Sequence, residues 1–139
     1  MKRYKFRLGQ VLKVRRIERD RAEAEVARAR GDVVAAERRT TAREDTYRTL
    51  SQRPVGDSLD ELTTRREQQR LAADAIIAAR AAERAARQVL AQRLAEWTEA
   101  DKKVRLLEQL DERPRERHQA LVLAEEQQVL DDLVTSRQG

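Results

Sequence analysis

From Leu8 to Leu50, thirteen positions recur at alternating steps of four and three residues without a slip. They are Leu8, Leu12, Arg15, Arg19, Ala22, Val26, Ala29, Val33, Ala36, Thr40, Arg43, Tyr47 and Leu50, and nine of the thirteen are apolar. A sustained period of about 3.5 residues marks a coiled-coil seam rather than an ordinary surface helix. Gly31 costs about 1 kcal/mol of helix propensity and leaves the period intact. A second frame links Leu62, Ala72, Ile76, Ala79, Ala86, Leu90, Trp97, Ala100, Val104 and Leu107, with Arg65, Gln69, Glu83 and Arg93 filling its remaining positions. It is weaker, because Ile77 and Leu94 flank it, and Leu106, Leu107 and Leu110 suggest a local shift of register. Beyond Pro114, Leu121, Leu123, Ala124, Val129, Leu130, Leu133 and Val134 form a last amphipathic stretch.

One strong break separates the frames, at Ser51-Gln52-Arg53-Pro54-Val55-Gly56-Asp57-Ser58. Pro54 cannot continue a helix from upstream and pushes Arg53 away from helical angles. Gly56 permits a sharp reversal. Asp57 or Ser58 can then cap a new helix, and Glu61 lies three residues after Ser58, as in a capping box. The expectation is an all-α, single-domain antiparallel coiled-coil hairpin: a helix over about 5–50, a turn at 51–57, and a longer helix over about 58–135 that Pro114 is expected to interrupt and kink. A simple fold-back sets Leu50 beside Leu59 and Leu8 near Asp101, which leaves residues from about 106 onward without a partner from the first helix. A parallel dimer of two long bent helices is the competing architecture, and the Pro54–Gly56 break argues against it.

Composition agrees with long helices and excludes much else. The 139 residues include 21 Ala, four Gly and two Pro, and aromatics make up 3%. Such a chain lacks both the turn residues of a β-fold and the bulk for a thick core. It has no Cys, so disulfides, thiolate metal sites and a Cys nucleophile are out, and a single His, His118, cannot build a His cluster. His118 reads as solvated. The glycines are scattered, and the carboxylate pairs Glu125-Glu126 and Asp131-Asp132 sit at adjacent helical positions that diverge. No catalytic residue, metal site or cofactor is expected, and the chain reads as non-enzymatic. No apolar run approaches a membrane span and no signal peptide is evident, which makes the cytoplasm the expected compartment.

Charge is segregated. Residues 1–30 hold eleven Lys/Arg and four Asp/Glu, whereas residues 106–139 hold four and eight. In a hairpin both segments meet at one end, which could steer a partner of complementary charge. Arg15 and Arg19 occupy seam positions there. They either snorkel or pair with Asp101 or Glu99 across the seam, or they face a partner. The basic start Lys2-Arg3-Tyr4-Lys5-Phe6-Arg7 is weighed against nucleic acid, but Leu8, Val11, Leu12, Val14 and Ile17 break the basic face and acidic residues return at Glu18. Membrane-surface binding by the same segment is weighed too and set aside. Trp97 is expected to pack in the seam, and Tyr47 either packs near the hairpin tip or serves a partner.

The order of two blocks carries a resemblance. The chain opens Phe6-Arg7-Leu8-Gly9-Gln10-Val11-Leu12-Lys13-Val14-Arg15-Arg16-Ile17-Glu18. It later reads Leu106-Leu107-Glu108-Gln109-Leu110-Asp111-Glu112-Arg113, then Glu116, Glu125-Glu126 and Leu130-Asp131-Asp132-Leu133. Together these resemble the FliJ proteins of the bacterial flagellar export apparatus over almost the whole chain. Pro114 departs from the family, which usually continues an uninterrupted helix there. The resemblance implies a stalk-like antiparallel coiled coil whose joined terminal end enters the hexameric ring of the flagellar export ATPase. It further implies promotion of ring assembly, contact with the cytoplasmic domain of the export gate, escort of export chaperones, and a cytoplasmic location peripheral to the inner-membrane apparatus. Carried over to this sequence, the ring-contacting candidates are Phe6, Leu8, Val11, Leu12, Arg15, Arg19, Glu108, Leu110 and Arg113. A generic coiled-coil adaptor or nucleic-acid-associated rod is the alternative.

Burying a Leu or Val contributes roughly 1.5–3 kcal/mol and an Ala much less. An Ala-rich seam therefore makes a marginally stable free protein that a partner stiffens. A thermal melt of the isolated chain checks this, with a low, shallow transition expected and a high, sharply cooperative one contradicting it.

Overall fold

In a computed structural model the described residues are 8–138, with the side chains of Arg113, Pro114 and Gln138 left aside. Two helices run through them, α1 (Gly9–Gln52) and α2 (Leu59–Gln138), packed as an antiparallel all-α hairpin. The capping signal works as read. The Glu61 amide donates to the Ser58 hydroxyl oxygen at 3.2 Å, and Asp60 and Glu61 sit in the first turn of α2, where the helix dipole favours negative charge.

Contacts divide the chain into two compact units, Ala22–Trp97 on the one hand and Met1–Arg21 with Thr98–Gly139 on the other. The Ala22–Trp97 unit is a thin seam. Val26, Ala29, Val33, Ala36 and Thr40 are buried on α1, and Ala72, Ile76, Ala79, Glu83, Ala86, Leu90, Arg93 and Trp97 are half-buried on α2. Both sets lie on the frames the spacing predicts. In heptad letters, Val26, Val33 and Thr40 are a positions and Ala22, Ala29 and Ala36 are d positions. On α2, Ile76, Glu83, Leu90 and Trp97 are a, and Ala72, Ala79 and Ala86 are d. Trp97 packs as expected, although its indole N–H is buried without an acceptor. Tyr47 is part-exposed in an open groove with Ile76 and Ile77.

Register is where the simple fold-back fails. Thr40 meets Glu83 at 2.9 Å, Glu37 meets Arg87 at 3.2 Å and Glu44 meets Arg80 at 3.2 Å. Leu50 lines a groove with Leu71, Ala72 and Ala75, not with Leu59. The pairing is displaced by about two heptads along α2. The cause is the connection. Gly56 does not supply a tight reversal, because no glycine among the described residues has a positive φ. The segment 53–58 instead climbs beside the first turns of α2, where Arg65 donates to the Arg53 carbonyl at 2.7 Å. Leu59 and Leu62 consequently stay exposed.

In the other unit, Arg16 meets Glu108 at 3.2 Å and Arg19 lies 3.7 Å from Asp101. That pairing sets Leu8 level with about residue 116 rather than with Asp101. The stretch of α2 beyond the described part of α1 accordingly starts some ten residues later than expected. The seam of α2 does not shift at Leu106 either. Leu106 and Leu110 are exposed, while Val104, Leu107, Asp111 and His118 keep the original spacing of three and four or its multiple on the inner face. His118 is half-buried and partnered, not solvated. Pro114 does not interrupt α2, which is helical from Leu59 to Gln138. Its missing N–H leaves the carbonyl of Leu110 without its helical donor, and the helix runs on through that single gap.

Val104 is wholly buried, so Val104→Ala is expected to cost about 2 kcal/mol of local stability. Amide exchange in 9–21 and 98–111 should speed up, while amides of 26–40 keep their protection. A Cβ on Gly56 would land on the flexible end of Glu61 and on no backbone. Gly56→Ala should therefore leave the melting midpoint within a degree or two, and a large loss would show that the connection needs glycine for its backbone.

Candidate functional site: the terminal unit

Gly9–Arg21 of α1 and the start of the Thr98–Gly139 segment bring the two sequence blocks together. Leu12 is 6% exposed and Val104 is 0% exposed. They supply the apolar centre of this unit. Arg15 and Arg19 fill the seam positions between Leu12 and Ala22, where no large apolar side chain stands. Arg19 takes the expected partner Asp101, which also accepts from Arg105 at 2.8 Å. Arg15 instead pairs within its own helix, with Glu18 at 2.9 Å. Glu99 likewise stays in its helix, with Lys102 at 3.3 Å.

The candidate residues separate by exposure. Leu12 is spent on the seam, so it positions the unit rather than meeting a partner. Glu108 is engaged by Arg16. Leu8, Val11 and Leu110 are exposed, the last two at 42% and 51%. Phe6 and the side chain of Arg113 lie outside what the structure describes. Val14, Ile17 and Leu106 are exposed apolar neighbours in the same unit. They carry the same chemistry, and their off-seam positions beside Val11 and Leu110 are the signal that singles them out.

Asp111 and Arg16 are the residues that sequence reasoning passed over. Asp111 is 7% exposed, on the inner face, and pairs with Arg115 at 3.0 Å. A buried carboxylate is tolerated only when it is paired, and removing its partner is expensive. Extending the α2 spacing one step past Leu107 lands on Asp111, so the signal was present. Arg16 flanks the seam at an e position, where interhelical ion pairs form.

The α2 segment from 119 to 137 is exposed apart from half-buried Val122. Its apolar residues include Leu123, Val129, Leu130, Leu133 and Val134, set among Glu125, Glu126, Asp131 and Asp132. Among the described residues no group of His, Cys, Asp or Glu is arranged to hold a metal ion. No helix of the described residues is long and apolar enough to cross a membrane. In the other unit Arg70 grips Glu67 and holds its carboxyl below the usual range, while itself being held higher by the same hydrogen bond. Both groups are fully exposed, so this fork is a surface feature of α2.

No curated protein and no solved structure matches the chain. The profile of the family described as "Flagellar FliJ protein" matches residues 4–138, essentially the whole length. The helical hairpin and the terminal unit that joins the two sequence blocks thus stand in a chain that belongs to the flagellar FliJ family, with the role in flagellar export that membership carries.

Proposed function

We propose that this protein is a non-enzymatic, central-stalk-like factor of the bacterial flagellar export apparatus. It promotes assembly and activity of the hexameric export ATPase ring, and it links that ring to the cytoplasmic domain of the export gate and to substrate chaperones. It works in the cytoplasm, associated peripherally with the apparatus at the inner membrane, and binds no nucleic acid specifically. The family match over residues 4–138 carries this reading. The exposed apolar residues of the terminal unit support it, since a surface of this kind on a two-helix unit is suited to docking against another protein.

On this reading Leu8, Val11 and Leu110 make the ring contact, with Phe6 and Arg113 beside them. Arg15 and Arg19 steer the approach. Leu12 and Glu108 hold α1 and α2 in the geometry that presents the contact. The charges favour encounter at low salt, and the apolar contact persists at physiological salt, where exposed ion pairs are screened.

The test is ATP hydrolysis by the cognate flagellar export ATPase, with and without this protein, at physiological salt. Stimulation together with more hexamer is expected. Val11→Asp and Leu110→Asp should each remove most of it, about tenfold or more, while far-UV helicity stays unchanged. Val34→Asp, at an exposed site of the other unit, should leave it intact. Full stimulation by both Asp variants would sink the residue assignment, and no stimulation by the parent chain would sink the stalk reading.

A further inference from the structure

The heptad frame that runs through Val104, Asp111 and His118 continues along α2 to Glu125 and Asp132. The apolar residues of the 119–137 stretch stand off that frame. Leu123, Val129, Leu130 and Leu133 fall at b, e and f positions, to one side of the seam, and all are more than half exposed. The stretch is therefore no continuation of the hairpin seam, since a helix laid on its inner face would meet carboxylates. Its apolar face belongs to a separate contact. The stretch holds four acidic residues and one basic one, Arg137. Glu125, Glu126 and Asp132 form no ion pair among the described residues.

The opposite chemistry stands on the outer side of α1. Val11, Val14 and Ile17 fall at g, c and f positions and are 42%, 52% and 44% exposed. Residues 9–21 hold five basic and two acidic side chains. Lys13 and Arg21, each four residues from Ile17, are exposed and form no ion pair among the described residues. The two surfaces are apolar along the middle and opposite in charge. They cannot meet within one chain, because α2 passes the level of Leu8 near residue 116 and carries 119–137 away from the rest of α1. Between two copies they meet directly.

We infer that the partner of the 119–137 stretch is a second copy of this chain, and that its apolar, acidic face lies along Val11, Val14 and Ile17 of that copy. Two terminal units set end to end about a twofold axis make this contact twice, once from each chain, which closes the assembly as a dimer. The two helices in each contact run parallel. An alignment with Lys13 level with Glu125 also sets Val11 level with Leu123 and Ile17 with Val129, and brings Arg21 within a residue of Asp132. Nineteen residues of helix are about 28 Å long and about 10 Å wide, so both faces of both contacts together cover about 1,100 Å². Stable interfaces start at about 1,200 Å², so this dimer is weak and reversible. It covers Val11, which the proposed stalk function gives to the ATPase ring, so a chain in the dimer is held off the ring. The dimer itself stands whether or not the ring reading does.

Sedimentation equilibrium of the full chain at physiological salt tests it. A monomer–dimer equilibrium across the micromolar range is expected, weakening as salt rises. Lys13→Glu with Arg21→Glu should weaken the dimer about tenfold or more, and Glu126→Lys with Asp132→Lys should do the same, since each sets like charges against each other. The chain carrying all four substitutions should return to within about threefold of the parent, because the opposite charges are restored with their signs exchanged. Leu130→Asp, which removes apolar contact alone, should leave a monomer. Far-UV helicity confirms that each variant folds. A parent chain that stays monomeric throughout the range overturns the dimer. An α1 variant that dimerises like the parent overturns the pairing of the two faces, as does a fourfold variant no tighter than either reversal.

Discussion

Everything in this hairpin follows from how little its seam buries. Ala29 and Ala36 are among the most enclosed residues of α1, and Ala72, Ala79 and Ala86 hold three of the d positions of α2 in the same unit. Small side chains bury little area, so each layer contributes modestly. The large apolar residues that such a chain does possess are left outside. Leu106, Leu110, Leu123, Leu130 and Val14 are all more than half exposed, and Val11 and Ile17 are not far behind. The seam thus hides Ala29 and Ala36 while these leucines face solvent.

Polar groups consequently carry specificity that bulk cannot. Three interhelical ion pairs join e positions: Arg16 with Glu108 in the terminal unit, and Glu37 with Arg87 and Glu44 with Arg80 in the other. The sign inverts between the units, with α1 basic in the first and acidic in the second. Each pair is exposed and weak. Their sign pattern nevertheless disfavours pairings that would bring like charges together. Inner-face polar groups weigh more. Asp111, buried, and Glu83, half-buried, each hold a position that an apolar residue could fill, and each pairs with an arginine one turn away. Family membership makes flagellar export the setting in which such specificity acts.

Both helices were legible in the spacing, because a period of 3.5 residues over dozens of residues has no competing explanation. The buried set of α1 from Leu12 to Thr40 lies on the frame read from sequence, and Ser58 caps α2 as its motif announces. The inner face past Leu107 follows the spacing and not the leucines, for Leu106 and Leu110 stay outside. Hydrophobicity pointed to a register shift, yet the helix kept its phase and took Asp111 inward instead. The one missing N–H at Pro114 does not end a long helix, since the turns on either side hold their own hydrogen bonds.

Sequence alone determined that there would be two helices, where the chain would break, which faces would meet and that charge would gather at the terminal end, since period, capping chemistry and composition are local properties. Tertiary structure alone decided which heptad meets which. The period is the same whichever heptads face each other, so local pattern cannot rank the registers. The choice came from two non-local facts. Residues 53–58 climb beside α2 instead of reversing tightly, and Thr40 finds Glu83 across the seam.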